Sequence, residues 1–353
     1  MNSPSRTPKQ SGFRQPGEWT PHRACWVAFP SDPELWPDLA GVQASFATMC
    51  RGIARPSAKP DVSGPQSEAL ELLVRDAAAE ARARELLSDL EVRYHRMSYG
   101  DIWMRDIAPV FLTDASGEVA SVRFRFNGWG EKYDYPGDTE VAARVQDQLQ
   151  YAAFQSSLVL EGGGVESDGA GLCMTTRDVA LNPNRNPGRS EAEVEAELKE
   201  ALGAERVIWL DQGLLNDHTD GHIDNIARFI APGRVVCMRA QTADDPNVDV
   251  LASIEGDLRK QGLEVVTLPS PGLVLGREQR PLPASYLNFY IANHSVVVPV
   301  FGSPHDEAAL TALAALFPNR TVVPVPAKVF LEEGGTVHCI TQQEPQRSSE
   351  RTI

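Results

Sequence analysis

Apolar residues recur at helical spacing in five stretches of the chain, and a short apolar run typical of a strand follows each stretch. The helical stretches are about 68–90, about 139–152, a third that opens with the capping box of Ser190 and Glu193, and two around Ile254 and Leu313. The strands that follow begin near Val92, Leu158, Val207, Val265 and Val322. Their separations of 66, 49, 58 and 57 residues indicate one supersecondary unit used five times.

Strand pairs with turn residues between them precede the later helices. The predicted turns lie at Ser116 and Gly117, near Arg177 and Asp178, at Pro232 and Gly233, and near Asn293 and His294. Each unit is therefore predicted to run strand–strand–helix–strand, which makes this an α/β fold of ββαβ repeats. The fifth pair is expected to combine "CITQ" near the C terminus with "CWVAF" near the N terminus. Such a pairing would close the units into a ring and remove open sheet edges.

The repeat runs through nearly the whole chain, so the pattern predicts a single domain over residues 12–345. Residues 1–11 and 346–353 are expected to be tails, the first of them disordered. The segment 55–67 is rich in proline, serine and glycine and is predicted to be a surface loop.

Composition and charge narrow the classes of function. The formal net charge is −15, which argues against a nucleic-acid partner and allows attraction of a cationic small molecule. No apolar run approaches the roughly 20 residues that span a membrane, and the N terminus has no apolar signal segment. The five cysteines are scattered without a CxxC pair, so neither a disulfide framework nor a structural zinc site is expected. These features predict a cytoplasmic protein.

Reactive side chains collect in the loops that follow the strands of successive units. The first such loop, "SYGDIWMRDIAP", contains Asp106, the second opens at Glu161, and the third, "DQGLLNDHTDGHIDN", contains His222 and Asp224. The last, "LEEGGTVHC", ends at Cys339. In a ring of repeated units these loops meet near one axis, so the sequence predicts one shared site. The fourth loop, "PSPGLVLGREQRPLP", lacks an acid–base set and is expected to be a lid or a substrate rim.

Each of these residues also has a purely structural interpretation when it is taken alone. Asp106 could pair with Arg105, the glycines after Glu161 could form a simple turn, and Cys339 could be a buried structural thiol. Their recurrence at one phase of the repeat favours a shared site over these separate interpretations.

The segment "HTDGHID" raises a metal-dependent alternative. His218 and His222 are four residues apart, which on a helix is a spacing that can bind zinc. Gly221 and the strand-like "HIDNIARFI" favour a strand instead, and on a strand His222 and Asp224 share one face. We therefore predict a His/Asp pair at the shared site and no metal.

One thiol, one or two histidines and several carboxylates suit a guanidinium substrate. Paired carboxylates match the fork of N–H groups on a planar guanidinium, and a thiolate can attack its central carbon. A histidine can give a proton to the departing ammonia and take one from the incoming water, which typically contributes about 10²–10⁴-fold in rate. A neutral ligand would leave the carboxylates without a counter-charge, so the set selects a cation.

Longer stretches carry a resemblance to a known family. In order from residue 12 to 345 the chain contains "GFRQPGEWTPHRACWVAFP", "DIWMRDIAP", "FNGWGEKYDYPGD", "EGGGVESDGAG", "ALNPNRNPGRS", "DGHIDNIARF", "SYLNFYIAN" and "GGTVHCITQQEP". Through these stretches it resembles the agmatine deiminase family of the guanidine-modifying superfamily. The resemblance implies a five-bladed α/β propeller that hydrolyses agmatine to N-carbamoylputrescine and ammonia, without a metal or organic cofactor. It also allows a homo-oligomer, because members of the family often form dimers or larger assemblies.

The resemblance implies roles for the residues at the family's motif positions. Cys339 resembles the nucleophile that forms a covalent amidino intermediate, and His222 resembles the general acid and base. Asp106 and Asp224 resemble the carboxylates that grip the guanidinium, and Glu161 resembles the carboxylate beside the histidine.

Three further residues are expected to contact the substrate. Trp103 resembles a pocket wall, and Trp129 lies in the matched stretch "FNGWGEKYDYPGD". Gly335 precedes the nucleophile, where a missing side chain lets the backbone approach a ligand. Glu18 matches the opening motif of the family but has no predicted role.

The chain departs from the family pattern at three positions. Glu333 stands before the nucleophile where a glycine is usual, Ala108 also replaces a usual glycine, and Leu172 replaces a usual threonine. Of the three, Glu333 is expected to affect substrate preference. The competing hypotheses are a deiminase of free or peptidyl arginine, an amidinotransferase, a metal-dependent hydrolase, and a catalytically silent binder of guanidines or polyamines.

Overall fold

The computed structural model describes residues 6–55 and 67–348. Most of the predicted surface loop 55–67, and the ends of both predicted tails, lie outside the described residues. Within the predicted N-terminal tail, Lys9–Ser11 form a 3₁₀ helix, and the hydroxyl of Thr7 donates to Glu200 at 2.5 Å. The domain and tail boundaries themselves stay predictions.

Strands and helices alternate along the described residues. The strands are β1 (His22–Ala28), β2 (Ala69–Val74), β3 (Val92–Arg96), β4 (Val110–Thr113), β5 (Val119–Arg125), β6 (Ala152–Val159), β7 (Glu166–Ser167), β8 (Leu172–Thr176), β9 (Arg206–Leu210), β10 (Ala227–Ala231), β11 (Arg234–Arg239), β12 (Glu264–Pro269), β13 (Tyr290–Ile291), β14 (Ser295–Val300), β15 (Thr321–Pro326) and β16 (Gln342–Pro345). The helices are α1 (Leu39–Ala54), α2 (Ala77–Leu86), α3 (Met104–Ile107), α4 (Gly128–Glu131), α5 (Asp138–Leu149), α6 (Arg177–Ala180), α7 (Glu191–Leu202), α8 (Val248–Lys260), α9 (Asp306–Leu316) and α10 (Lys328–Leu331).

The described strands form five separate sheets with one shared pattern. In the sheet β4-β5-β6, β4 pairs antiparallel with β5, and β5 pairs parallel with β6 after the chain has passed through α5. The sheets β7-β8-β9, β10-β11-β12 and β13-β14-β15 repeat this order. Parallel neighbours need a crossover, which the helix of each unit supplies. The predicted α/β fold of five ββαβ units, arranged as in a five-bladed propeller, is confirmed.

The two ends of the chain complete the remaining sheet, β16-β1-β2-β3. Strand β16 lies antiparallel to β1, with Gln342 opposite Trp26 and Gln343 opposite Cys25. The predicted closing hairpin is therefore confirmed, although β16 begins only at the last residue of "CITQ". The closure thus places the first and the last described strands of the chain in one sheet.

The predicted helix over 68–90 is wrong in its first third. Ala69–Val74 form β2, which is largely buried between β1 and β3, and the Asp76 side chain then accepts from Ala79 N to start α2. Helix α1 supplies the crossover of this unit, so β3 is a fourth strand added to its sheet. The run "ALELLV" fits both the helical and the strand periodicity. It forms a strand because the segment is buried on both sides.

The predicted turn near Arg177 and Asp178 is also wrong. Strand β7 pairs with β8 across a turn in which Gly169 and Gly171 have φ of 69° and 116°. Arg177–Ala180 instead form α6, which starts where the Thr176 side chain accepts from Val179 N. The other predicted turns lie between paired strands as expected.

The core lies between each helix and the sheet of its own or a neighbouring unit. The predicted apolar faces of the helices are buried, among them Val145 of α5, Leu198 of α7, Ile254 of α8 and Leu313 of α9. Each such side chain contributes about 1.5–3 kcal/mol by leaving water. Of the helices within the described ranges, none has the length and apolar character needed to cross a bilayer.

Glu344 of β16 anchors the closing strand from inside the sheet. Its fully buried carboxylate accepts from Arg23 Nε and Nη2 at 2.5 Å, from Trp26 Nε1 at 2.8 Å and from the Tyr151 hydroxyl at 2.6 Å. One side chain thus joins β16 to β1 and to the neighbouring unit.

Replacing this anchor should destabilise the fold. Glu344→Ala leaves buried donors unpaired, so the free energy of unfolding in urea should fall by about 3 kcal/mol. Glu264→Ala is the control, because the Arg234–Glu264 pair is exposed and its loss should cost at most about 1 kcal/mol. Equal losses in the two variants would show that the closing strand is not held this way.

Candidate active site

The loops after successive units bring the predicted residues together around Gly163. A Cβ atom placed on this glycine would lie 2.6 Å from His222 Nδ1, 2.9 Å from Asp106 Oδ1 and 3.1 Å from Asp224 Oδ2. These residues belong to three different units of the ring. The structure therefore brings these predicted site residues together, and glycine is needed at 163 because no side chain fits there.

Cys339 lies in a buried turn, residues 337–340, rather than at the head of a strand. The Asn288 amide, which follows the fourth loop in the chain, contacts the thiol, with Nδ2 at 3.2 Å and Oδ1 at 3.4 Å from Sγ. Asn288 Oδ1 also accepts from the backbone N–H of His338 at 3.0 Å. Burial raises the pKa of the Cys339 thiol well above its ordinary value, and the carboxylates of Asp224 and Asp106 raise it further. Without a bound cation the sulfur is therefore a thiol.

His222 and Asp224 do not lie on a strand as predicted. His222 precedes the 3₁₀ helix Ile223–Asn225, and β10 begins only at Ala227. The cause is the preceding turn, in which Gly221 has φ of 89° and the Thr219 hydroxyl accepts from His222 N at 3.1 Å. The two side chains still enter one cluster, as the sequence predicted, but from a turn instead of a sheet face.

His222 sits among carboxylates in a fully buried position. Its Nε2 lies 3.4 Å from Glu161 Oε2, and its Nδ1 lies 3.8 Å from Asp106 Oδ1. Burial disfavours the imidazolium, yet the charges of Asp106, Glu161 and Asp224 raise the pKa of His222 to about 9. The ring is thus protonated near neutral pH and can donate a proton.

Glu161 has a second partner that the sequence did not reveal. Arg185 Nε lies 2.9 and 3.1 Å from the two carboxylate oxygens, and both side chains are fully buried. Burial opposes ionisation of Glu161, but the hydrogen bond with His222 and the charge of Arg185 hold its pKa below the ordinary value. The stretch "ALNPNRNPGRS" contains Arg185, and its asparagines and prolines are the signal in the sequence for a fixed loop.

Asp106 accepts two hydrogen bonds from the loops around it. Trp129 Nε1 donates to Oδ2 at 2.9 Å, and Gly163 N donates to Oδ1 at 3.0 Å. Burial raises the pKa of Asp106 to about 6; the charge of His222 opposes this rise, and Asp224 and Glu161 add to it. Trp129 has φ of 55°, a conformation that costs a bulky residue energy. The strained turn serves to aim the indole N–H at this carboxylate.

Asp224 is bound on one side only. Its Oδ2 lies 2.7 Å from His338 Nδ1, whereas its buried Oδ1 has no hydrogen-bond partner among the described residues. Although burial disfavours its charge, the hydrogen bond with His338 holds the pKa of Asp224 below the ordinary value. One buried, ionised carboxylate oxygen is thus available to a donor from outside the chain.

A narrow cleft lined by aromatic side chains leads to Cys339. Trp103 and Trp129 form part of its wall, as predicted, and Tyr133 stacks on Tyr135 at its mouth with 5.7 Å between ring centroids. Gly335 lines the base, where a Cβ atom would come within 2.7 Å of the Trp103 ring and 2.9 Å of the Cys339 sulfur. The cleft thus presents aromatic faces that suit a cation, with the thiol at its base.

Glu333 lies at the rim of this cleft and pairs with Arg277 of the fourth loop. Arg277 also pairs with Glu332, at 3.4 Å from Nε to Oε2. Through Arg277 the fourth loop contacts the rim of the cleft, and its role as a lid or substrate rim stays a prediction. The side chain of Glu333 turns toward Arg277.

The two histidines of the metal alternative face different partners. His218 Nε2 lies 2.8 Å from Gly334 O and its Nδ1 lies 3.1 Å from the Tyr133 hydroxyl, whereas His222 lies against Glu161. Across residues 6–55 and 67–348, no three His, Cys, Asp or Glu side chains are arranged to hold a metal ion. His218 belongs to the cleft rim.

Comparisons with known proteins agree with one another along the full chain. The profile of the Porphyromonas-type peptidyl-arginine deiminase family matches residues 14–345. The agmatine deiminase of Stutzerimonas stutzeri is 36% identical, with 98% of this chain and 99% of the relative aligned. The solved agmatine deiminase of Enterococcus faecalis has a TM-score of 0.88 at 31% identity, covering 98% of this chain and 99% of its own. A cysteine-to-serine variant of the C. jejuni agmatine deiminase with bound substrate has a TM-score of 0.85 at 25% identity, covering 95% and 97%.

Proposed function

The chain belongs to the Porphyromonas-type peptidyl-arginine deiminase family, and we propose that it hydrolyses agmatine to N-carbamoylputrescine and ammonia. The observation that supports this most is the buried, ionised carboxylate of Asp224, whose Oδ1 has no hydrogen-bond partner among the described residues and whose charge acts on the Cys339 thiol together with that of Asp106. A guanidinium is the cation whose planar fork of N–H groups suits two carboxylates at once. The relatives named agmatine deiminase align with this chain from end to end, which supports agmatine as the guanidine.

Substrate binding would activate the thiol. The charges of Asp224 and Asp106 oppose ionisation of Cys339 in the free protein. A guanidinium between them offsets these charges and places a positive centre next to the sulfur, so that the thiol releases its proton to solvent water and the thiolate forms where it is used. The thiolate then attacks the guanidinium carbon and forms a C–S bond.

His222 would carry the protons of both half-reactions. The imidazolium gives its proton to the nitrogen that leaves as ammonia, and the amidino group stays on Cys339. Neutral His222 then takes a proton from water, whose oxygen attacks the same carbon and displaces the sulfur. The products are the ureido compound and the regenerated thiol. Glu161, fixed by Arg185, holds the imidazole in place for both steps.

The cleft would select the length and charge of the substrate tail. Beyond the guanidinium, the aromatic faces of Trp103, Tyr133 and Tyr135 suit an alkyl chain with a cationic end. Glu333 adds a carboxylate at the mouth, on the side from which that end would protrude. We expect the rim to favour a substrate tail that carries an amine.

Turnover assays test the function directly. Wild type should release ammonia and ureido product from agmatine faster than from free or peptidyl arginine, and a chelator should leave the rate unchanged. Cys339→Ala should lower kcat by at least about 10⁴-fold, as loss of a covalent nucleophile does. Cys237→Ala is the matched control, because Cys237 is buried in β11 away from the cleft.

Three results would contradict the proposal. Turnover that survives Cys339→Ala would rule out the covalent route. Failure to convert any guanidine, with agmatine still bound, would show a silent binder. Conversion of arginine but not of agmatine would show that the same reaction acts on a different substrate.

The pH dependence follows from two pKa values. Asp106, with a pKa of about 6, must be ionised to hold the guanidinium, so kcat/KM should rise as pH increases through about 6. His222, with a pKa of about 9, must be protonated at the start, so kcat/KM should fall as pH increases past about 9. Glu161→Gln removes a charge that raises the pKa of His222, so the alkaline limb should move to lower pH. An alkaline limb that stays in place would assign it to another group.

A further inference from the structure

The histidine next to the nucleophile connects the site to the N-terminal segment. The ring of His338 is buried, with Nδ1 at 2.7 Å from Asp224 Oδ2 and Nε2 at 2.7 Å from Glu18 Oε2. Glu18 lies before β1, some three hundred residues from His338 in sequence, and it meets this ring because the two chain ends close the propeller. No step of the proposed reaction uses either residue.

The hydrogen bonds require a proton on each nitrogen of this ring. An ionised carboxylate only accepts hydrogen bonds. Despite its burial, Glu18 has a pKa well below the ordinary value, because the charges of Arg228, His338 and Arg105 favour ionisation. The pKa of Asp224 is lowered too. With both carboxylates ionised, the two short contacts are satisfied only if the imidazole donates from both nitrogens.

Glu18 is itself held in place by groups on other elements. Its Oε1 accepts from Ile291 N at 2.8 Å, and its Oε2 lies 3.0 Å from Arg228 Nη2 and 3.6 Å from Arg105 Nη2. The position of the ring of His338 is therefore set from the side away from the substrate. Its backbone is set as well, because His338 N donates to Asn288 Oδ1.

The consequence concerns Asp224. Since Oδ2 is occupied by His338, Oδ1 is the oxygen that lacks a hydrogen-bond partner among the described residues. Rotation of the carboxylate would break a charge-assisted hydrogen bond in a buried place. The direction in which Asp224 can accept from a guanidinium is thus decided by His338.

We propose that His338 is a positioning residue, anchored by Glu18, that aims the free Oδ1 of Asp224 at the guanidinium of the substrate. It acts through Asp224 and does not touch the reacting atoms. This proposal rests on the proposed function, because it takes the guanidinium as the ligand of Asp224.

Two amide variants of His338 test the contacts of its two imidazole nitrogens separately. The amide nitrogen of asparagine is two bonds from Cβ, like Nδ1, so His338→Asn retains a donor to Asp224 and leaves Glu18 with Arg228. The amide nitrogen of glutamine is three bonds from Cβ, like Nε2. His338→Gln therefore retains the contact with Glu18 but removes the hydrogen-bond donor that orients Asp224. The two variants differ in which carboxylate keeps its donor.

The proposal predicts an unequal loss. With agmatine, His338→Gln should lower kcat/KM by about 10²-fold or more, as misplacement of a binding group does, and His338→Asn by less than about tenfold. In a Cys339→Ala background, only His338→Gln should weaken agmatine binding, measured by calorimetry. Equal losses, or the reverse order, would overturn the positioning role. Wild-type protein without turnover of any guanidine would overturn the proposed function instead.

A measurement on the wild type covers the case in which His338→Gln does not fold. Protein labelled with ¹⁵N in its histidines should show two ring N–H signals that vanish together in His338→Asn. A single ring N–H at this residue would contradict the doubly protonated imidazole, and with it the anchoring by Glu18. If His338→Gln does not fold, a decrease of about 10²-fold or more in the kcat/KM of His338→Asn would also overturn the proposal.

Discussion

Neutralisation of the carboxylates buried at the centre of the ring is the constraint on which the rest of the structure depends. An isolated buried carboxylate costs several kcal/mol, so each one needs a cation or donors from another part of the chain. Arg185 serves Glu161, Arg228 serves Glu18, and His338 serves Asp224. Because the partners come from different units, these contacts also fix how the units meet.

The buried carboxylates have one cationic partner too few at the place where the substrate would bind. Burial keeps the pKa of Asp106 raised, and Oδ1 of Asp224 lacks a partner within the described ranges. The guanidinium would supply the missing charge, and its arrival would lower the cost of ionising Cys339. Substrate selection and activation of the nucleophile are then one electrostatic event, and a neutral ligand would achieve neither.

Much of this arrangement could be predicted from the sequence, because the repeat places Asp106, Glu161, His222 and Cys339 at one phase. Local ambiguity caused the errors: an apolar run that fits both periodicities became β2 instead of helix, and a glycine turn replaced a predicted strand at His222. The partners of the buried charges were missed for a different reason. Their contacts depend on how the ring closes, and one sequence contains no signal for pairs so far apart.

Mass spectrometry of a quenched reaction tests the central claim most directly. Protein mixed with agmatine and stopped in acid during turnover should carry an adduct of agmatine less ammonia. That adduct should lie on the peptide that contains Cys339, and label in the guanidino carbon should be retained on it. An adduct on another cysteine, or sustained turnover with Cys339 unmodified throughout, would contradict a nucleophilic thiol activated by the bound guanidinium.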